Sequence, residues 1–167
     1  MADAALAGQE QWTHLRYLEH LAEGEFNQRR QRAITRRLKE ARFPVLKTLE
    51  QFRWDWPKKI NRLQVQNPFR LQFVKDRANV IFLGTVGLGK THLATALGYA
   101  ACLECHPVLF ANAIQVINDR SEARKNGRLK TQLKKYLAPR ILILDEVGYL
   151  PIDERGADLL FQVISQR

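Results

Sequence analysis

Residues 79–91 read Asn79-Val-Ile-Phe-Leu-Gly-Thr-Val-Gly-Leu-Gly-Lys-Thr91. A short apolar run enters a glycine-rich turn that ends on a lysine and a hydroxyl. Residues 84–91 fit G-x-x-x-x-G-K-[ST], a pattern that carries weight only between a strand and a helix. Both are expected here. The run 79–83 predicts a buried strand, and 91–102, rich in Ala and Leu, predicts a helix. In that setting the backbone N–H groups of Gly84, Thr85, Val86, Gly87, Leu88 and Gly89 turn inward. They form an anion nest at a helix N-terminus. The glycines allow backbone angles and a close approach that a Cβ would forbid. Lys90 then brings charge to the β and γ phosphates of a nucleoside triphosphate, and the Thr91 hydroxyl offers an oxygen to Mg²⁺.

A second apolar run, Ile141-Leu-Ile-Leu144, is followed by Asp145 and Glu146. A buried parallel strand sets Asp145 at its C-terminal end, where open α/β sheets bind ligands. Asp145 is expected to hold Mg²⁺ through water, and Glu146 to orient or deprotonate an attacking water. Alone, two carboxylates at a strand end are more often just solvated; beside a phosphate loop they supply what phosphoryl transfer needs. Asp145-Glu-Val-Gly148 also fits D-x-x-G, a GTPase feature, but no N-K-x-D guanine signature follows and the Asp-Glu pair favours ATP.

The rest of this half alternates in the same way. Residues 108–111 predict a strand. Residues 112–137 predict helix, with Leu129, Leu133 and Leu137 in phase and a break at Asn126-Gly127. Asp153 is a candidate cap for a last helix with Ala157, Leu160, Phe161 and Ile164 on one face. Alternating strands and helices predict an α/β domain with a parallel sheet.

Ahead of residue 78 the pattern is helical. Trp12, Leu15, Leu18, Leu21 and Ala22 mark a helix over 9–24, with Gly24 as its stop. Phe26, Ala33, Ile34, Leu38 and Ala41 mark a second helix. Pro44 ends it or opens a short third one through Val45, Leu46, Leu49 and Phe52. Trp54, Trp56, Pro57 and Pro68 belong to a connector with packed aromatics.

The whole chain has 167 residues, 27 Lys plus Arg against 17 Asp plus Glu, and a net charge of +10. That balance, with 46% hydrophobic residues, excludes disorder and low-complexity classes. The apolar-rich stretch 93–103 is too short to cross a bilayer, and the first ten residues lack a signal-peptide pattern. A cytoplasmic protein without membrane contact is expected. Its basic charge suggests a polyanionic partner. The charge is concentrated: residues 29–62 carry 12 basic and 3 acidic residues. Arg29, Arg30, Arg32, Arg36 and Arg37 are candidate contacts to duplex DNA, of the salt-sensitive, sequence-tolerant kind made to phosphates. A solvated helix face is the bland alternative. Arg120, Arg124, Lys125, Arg128, Lys130, Lys134 and Lys135 form a second candidate group.

Cys102-Leu-Glu-Cys105-His106 matches the c-type haem pattern C-x-x-C-H. Haem attachment also requires export, and zinc a second ligand pair, so two structural thiols and neither group are expected.

The loop GTVGLGKTHLA, the strand ILILDEVGYLP and the upstream RRLKEARFPVLKTLEQF together resemble the IstB family. These are helper ATPases of insertion-sequence transposition, related to DnaC-type helicase loaders within the AAA+ class. The resemblance covers roughly 10–167, with Thr85 and Val86 where the family often has Pro-Pro. It implies an incomplete AAA+ P-loop sheet in a domain at 78–167, preceded by a small basic helical domain and connector at 1–77. It implies ATP and Mg²⁺ as cofactors, and duplex DNA and a transposase as partners. It also implies assembly into a homo-oligomer on DNA when the chain is complete, with residues near 120–135 facing a central channel. A helicase loader, or a non-catalytic remnant that binds nucleotide and DNA, are the alternatives. Family members continue past the last helix with a sensor strand and an arginine that acts on a neighbour's ATP. Chain truncation, a gap beside the loop strand and weak turnover are therefore expected.

Overall fold

Val108–Asn112 (β1) and Ile141–Asp145 (β2) are apolar on both faces, as strands covered on both sides must be. In the computed structural model, which describes residues 7–8, 10, 12–55, 60–125, 129–147 and 154–166, they pair in parallel. Val108 lies beside Ile141, and Asn112 beside Asp145. A parallel pair needs a long crossover. Here it is helical: Ala113–Lys125 and Leu129–Leu137 lie on either side of 126–128, which fall outside the described residues.

In chain order the helices are α1 (His14–Glu40), α2 (Arg62–Gln66), α3 (Gln72–Asp76), α4 (Lys90–Leu103), α5 (Ala113–Lys125), α6 (Leu129–Leu137) and α7 (Glu154–Ser165). The chain forms two compact units, Met1–Arg36 and Arg37–Arg167. Within the larger one, side chains alternate across the two strands. Val108, Ile141 and Ile143 face a core with Leu97, Ala101 and Cys102 of α4 and with Ala41, Leu71 and Val74. Leu109, Ala111, Leu142 and Leu144 face a second core with Val116, Tyr136, Leu160 and Val163. Residues 37–77, grouped by sequence with the N-terminal helices, thus supply part of the first core. A Cβ on Gly98 would come within 2.6 Å of Ile143 Cδ1 and 2.8 Å of Phe43, so glycine lets α4 lie against the sheet.

Several expectations are corrected. The run 79–83 forms no strand: it is irregular, with Val80 and Phe82 packed on the first core and Ile81 and Leu83 exposed. A ladder needs a neighbour. β2 takes one edge of β1, and on the other the Phe110 N–H donates to Ala41 O at 2.8 Å. Gly24 does not stop a helix, because α1 runs through it. A mid-helix glycine costs only about 1 kcal/mol relative to alanine, and good helix formers flank this one. Helix α1 ends at Glu40, and residues 45–50 form no third helix. Along α7 the covered residues are Gly156, Leu160 and Val163, while Ala157, Phe161 and Ile164 are exposed. Asp153 lies outside the described residues.

Candidate phosphate-binding site

Gly87 and Gly89 adopt φ of +81° and +80°, which residues with a Cβ rarely take. Gly89 also caps α4, and its Cα faces the Phe52 ring so closely that a Cβ would sit 2.7 Å from it. The loop therefore turns straight into a 14-residue helix whose N-terminal N–H groups and dipole favour an anion. Lys90, the first residue of α4, folds back and donates to Thr85 O at 2.7 Å, which keeps its ammonium over the loop. His92 Nε2 lies 2.9 Å from Thr48 O, and its ring meets Phe52 edge-on at 5.4 Å, so segment 48–52 braces the start of α4.

The Thr91 hydroxyl donates to the Asp145 carboxylate, at 3.0 Å to Oδ2 and 3.2 Å to Oδ1. Two motifs 54 residues apart in sequence meet at one point, where Thr91 brings one hydroxyl oxygen and Asp145 two carboxylate oxygens. That donor set suits Mg²⁺, which takes one or two protein oxygens and fills its shell with phosphate and water. Among the described residues no group of three or more His, Cys, Asp or Glu gathers to hold a metal by protein ligands alone.

Glu146 follows at the end of β2 with φ +60°, a left-handed conformation that costs a non-glycine residue about 1 kcal/mol or more. It is exposed, and its carboxylate accepts from the Asn112 side-chain amide. The same Asn112 accepts the Ile114 N–H at 2.9 Å and so caps α5. Asn112 was not singled out by sequence reasoning. The available signal was its place at the end of β1, in register with Asp145.

The basic candidates fare differently. Arg29, Arg30, Arg32 and Arg36 are exposed on α1; Arg29 pairs with Glu25 at 2.5 Å and Arg32 donates to Gln28. Arg37 is half-buried, with Nη1 fully enclosed. Lys134 is exposed on α6. Arg128 and the side chains of Arg124, Lys125 and Lys130 lie outside the described residues. Cys102 is buried in the first core, and burial raises its thiol to about 11. Among the described residues no helix is long and apolar enough to cross a membrane.

The chain matches the model of the IstB-like ATP-binding protein family over residues 1–167. It is 43% identical over 156 residues to an insertion-sequence IS21 protein of Pseudomonas aeruginosa named for ATP binding, covering 92% of this chain and 59% of the relative. It is 36% identical over 150 residues to the corresponding IS232 protein of Bacillus thuringiensis, covering 90% and 60%. For the IS5376 protein of Geobacillus stearothermophilus the identity is 32% over 151 residues, with the same coverage. The chain thus spans about three-fifths of the length of these relatives. On a match over its whole length, the chain belongs to the IstB-like ATP-binding protein family.

Proposed function

We propose that the chain binds Mg-ATP at residues 84–91 and Asp145 and works on DNA as a helper of insertion-sequence transposition. The observation that carries this reading is the hydrogen bond from Thr91 to Asp145, which joins the phosphate loop to the strand-end carboxylate. Loop N–H groups and Lys90 hold the phosphates, and Thr91 and Asp145 hold the metal, directly or through water. Bound Mg²⁺ would neutralise charge on the β and γ oxygens. Glu146 orients the water, and its bond to Asn112 occupies one carboxylate oxygen that the water would otherwise use. Removal of Lys90 takes away a phosphate charge and no core contact. Lys90→Ala is expected to weaken ATP binding by about a hundredfold or more while the fold persists. Calorimetric titration checks it; unchanged affinity would overturn the site.

For DNA, the exposed arginines of α1 are the proposed backbone contacts. The candidate group at 124–134 is proposed for the same role, in the assembled oligomer. Affinity for a random duplex should fall linearly with salt on logarithmic axes. Replacing Arg29, Arg30 and Arg36 by Ala should flatten that slope, and an unchanged slope would leave these arginines as a solvated face. The 1–77 and 78–167 parts are proposed to divide the work between DNA and nucleotide. Transposase capture by co-purification, with and without ATP, tests the partner assignment, and a helicase in its place would favour the loader reading. Light scattering on DNA tests assembly.

A further inference from the structure

The carboxyl ends of β1 and β2 meet the phosphate loop; their amino ends border a second feature with no part in that chemistry. An open cavity of about 300 Å³ lies there, walled by Arg37, Glu40, Arg42, Pro107, Lys135 and Pro139 among others. Three of its side chains are cations. The bond from Phe110 to Ala41 O fixes the end of α1 along the free edge of β1 and so sets Arg37 and Arg42 beside the first residues of that strand. Arg42 holds φ +57°, a conformation normally left to glycine or asparagine after a helix.

The cations are not equally satisfied. Lys135 pairs with Asp119 at 2.9 Å, and the Tyr136 hydroxyl donates to the same carboxylate at 2.5 Å. Arg37 Nη1 is buried without a hydrogen-bond partner among the described residues, and Arg42 lies exposed on the same wall. A buried guanidinium nitrogen without an acceptor is costly, and native structures usually supply one from water or a bound ion. Two planar forks and an ammonium around a space of this size match the oxygens of a phosphate group better than those of a neutral ligand.

We propose that this cavity is a phosphate-group site, separate from residues 84–91, in which Arg37 and Arg42 bind the oxygens and Lys135 adds a third charge. The group comes either from a polynucleotide backbone or from free phosphate. The chemistry is shared, and the experiment separates the two. The full 167-residue chain carrying Lys90→Ala, which disables the loop, is titrated with sodium phosphate against chloride at equal ionic strength. Binding is read by thermal shift and by ³¹P line broadening. Phosphate is expected to raise Tm beyond the chloride control. Arg42→Gln, and separately Arg37→Met, is expected to weaken phosphate binding by about tenfold or more, while Lys75→Gln, an exposed lysine away from the cavity, leaves it unchanged. Arg42 is exposed, so its variant decides the question even if Arg37→Met fails to fold. A short duplex that displaces phosphate competitively would support the site with the backbone as source; independent binding of the two would support it with free phosphate as source. No phosphate-specific shift, or an Arg42→Gln chain with wild-type affinity, would overturn the site.

Discussion

The runs 79–83 and 141–145 look alike as sequence, and each hands its next residues to the same corner of the molecule. One is a strand and the other is not. Ile141 is 8% exposed and sits in a ladder, whereas Ile81 is 74% exposed and Leu83 88%. An apolar run reports a tendency to be buried; a strand also requires a neighbour with free N–H and C=O groups. Around 79–83 only half the side chains are covered, through Val80 and Phe82. The phosphate loop therefore hangs from a segment held by side-chain packing, while Asp145 stands at the end of hydrogen-bonded backbone. The Thr91–Asp145 bond links the less constrained part to the more constrained one.

The sharpest way to break this comparison uses the same substitution in both runs. Ile141→Ala removes a buried side chain from the first core and should cost about 2–5 kcal/mol. Ile81→Ala removes an exposed one and should stay within about 0.5 kcal/mol. Equilibrium urea unfolding of the two variants measures both. Equal losses would mean that 79–83 is as buried as β2, and the contrast would disappear.

A smaller effect sharpens the comparison at the strand ends. Asn112 closes β1, caps α5 and holds Glu146, so it belongs to the rigid side of the corner. Asn112→Ala should lower stability by about 1 kcal/mol through loss of the cap. Its effect on ATP affinity should be slight, because Lys90, Thr91 and Asp145 are untouched. Unfolding and calorimetry on one preparation separate the two readouts. A large loss of affinity with no loss of stability would place Asn112 among the nucleotide's own contacts.

These contrasts mark how far the sequence could be read. The loop, α4, β1 and β2 were legible, because glycine spacing ahead of a Lys-Thr pair and an Ala- and Leu-rich helical stretch is a specific pattern; Asp145 gained a meaning only beside that loop, since alone a strand-end carboxylate is more often just solvated. The loop strand was not, since pairing depends on a neighbour that no local pattern describes. Gly24 misled because propensity is a weak prior: about 1 kcal/mol at one position is outweighed by the rest of a 27-residue helix. On α7 Leu160 is buried as its pattern predicts, but Val163 is covered in place of Phe161 and Ile164, which are as apolar and which only packing against the sheet distinguishes from it. Arg37 read as one more member of a charged face, although its guanidinium turns inward. Asn112 carried no motif at all.

The faintest expected effect lies in the crossover that joins the two paired strands. Asp119 of α5 accepts from Lys135 at 2.9 Å and Tyr136 at 2.5 Å of α6, tying the helices on which the β1–β2 pairing depends. Burial, the strongest single influence on Asp119, raises its pKa, but the bonds from Tyr136 and Lys135 and the nearby charges of Lys135 and Arg42 together hold it below the ordinary carboxylate value. A carboxylate with a depressed folded pKa stabilises the native state above its unfolded pKa, and that contribution is lost as pH falls through the folded value. The opposing influence of burial keeps the gain small, below about 1 kcal/mol. Wild type should therefore be slightly more stable than Asp119→Asn at pH 6, with the difference shrinking as the pH drops below the usual range for aspartate. Urea unfolding from pH 6 down to the acid limit of folding measures it. A difference that stays constant with pH would mean that the Asp119 charge contributes nothing, and that the crossover is held by Val116, Tyr136 and their apolar neighbours alone.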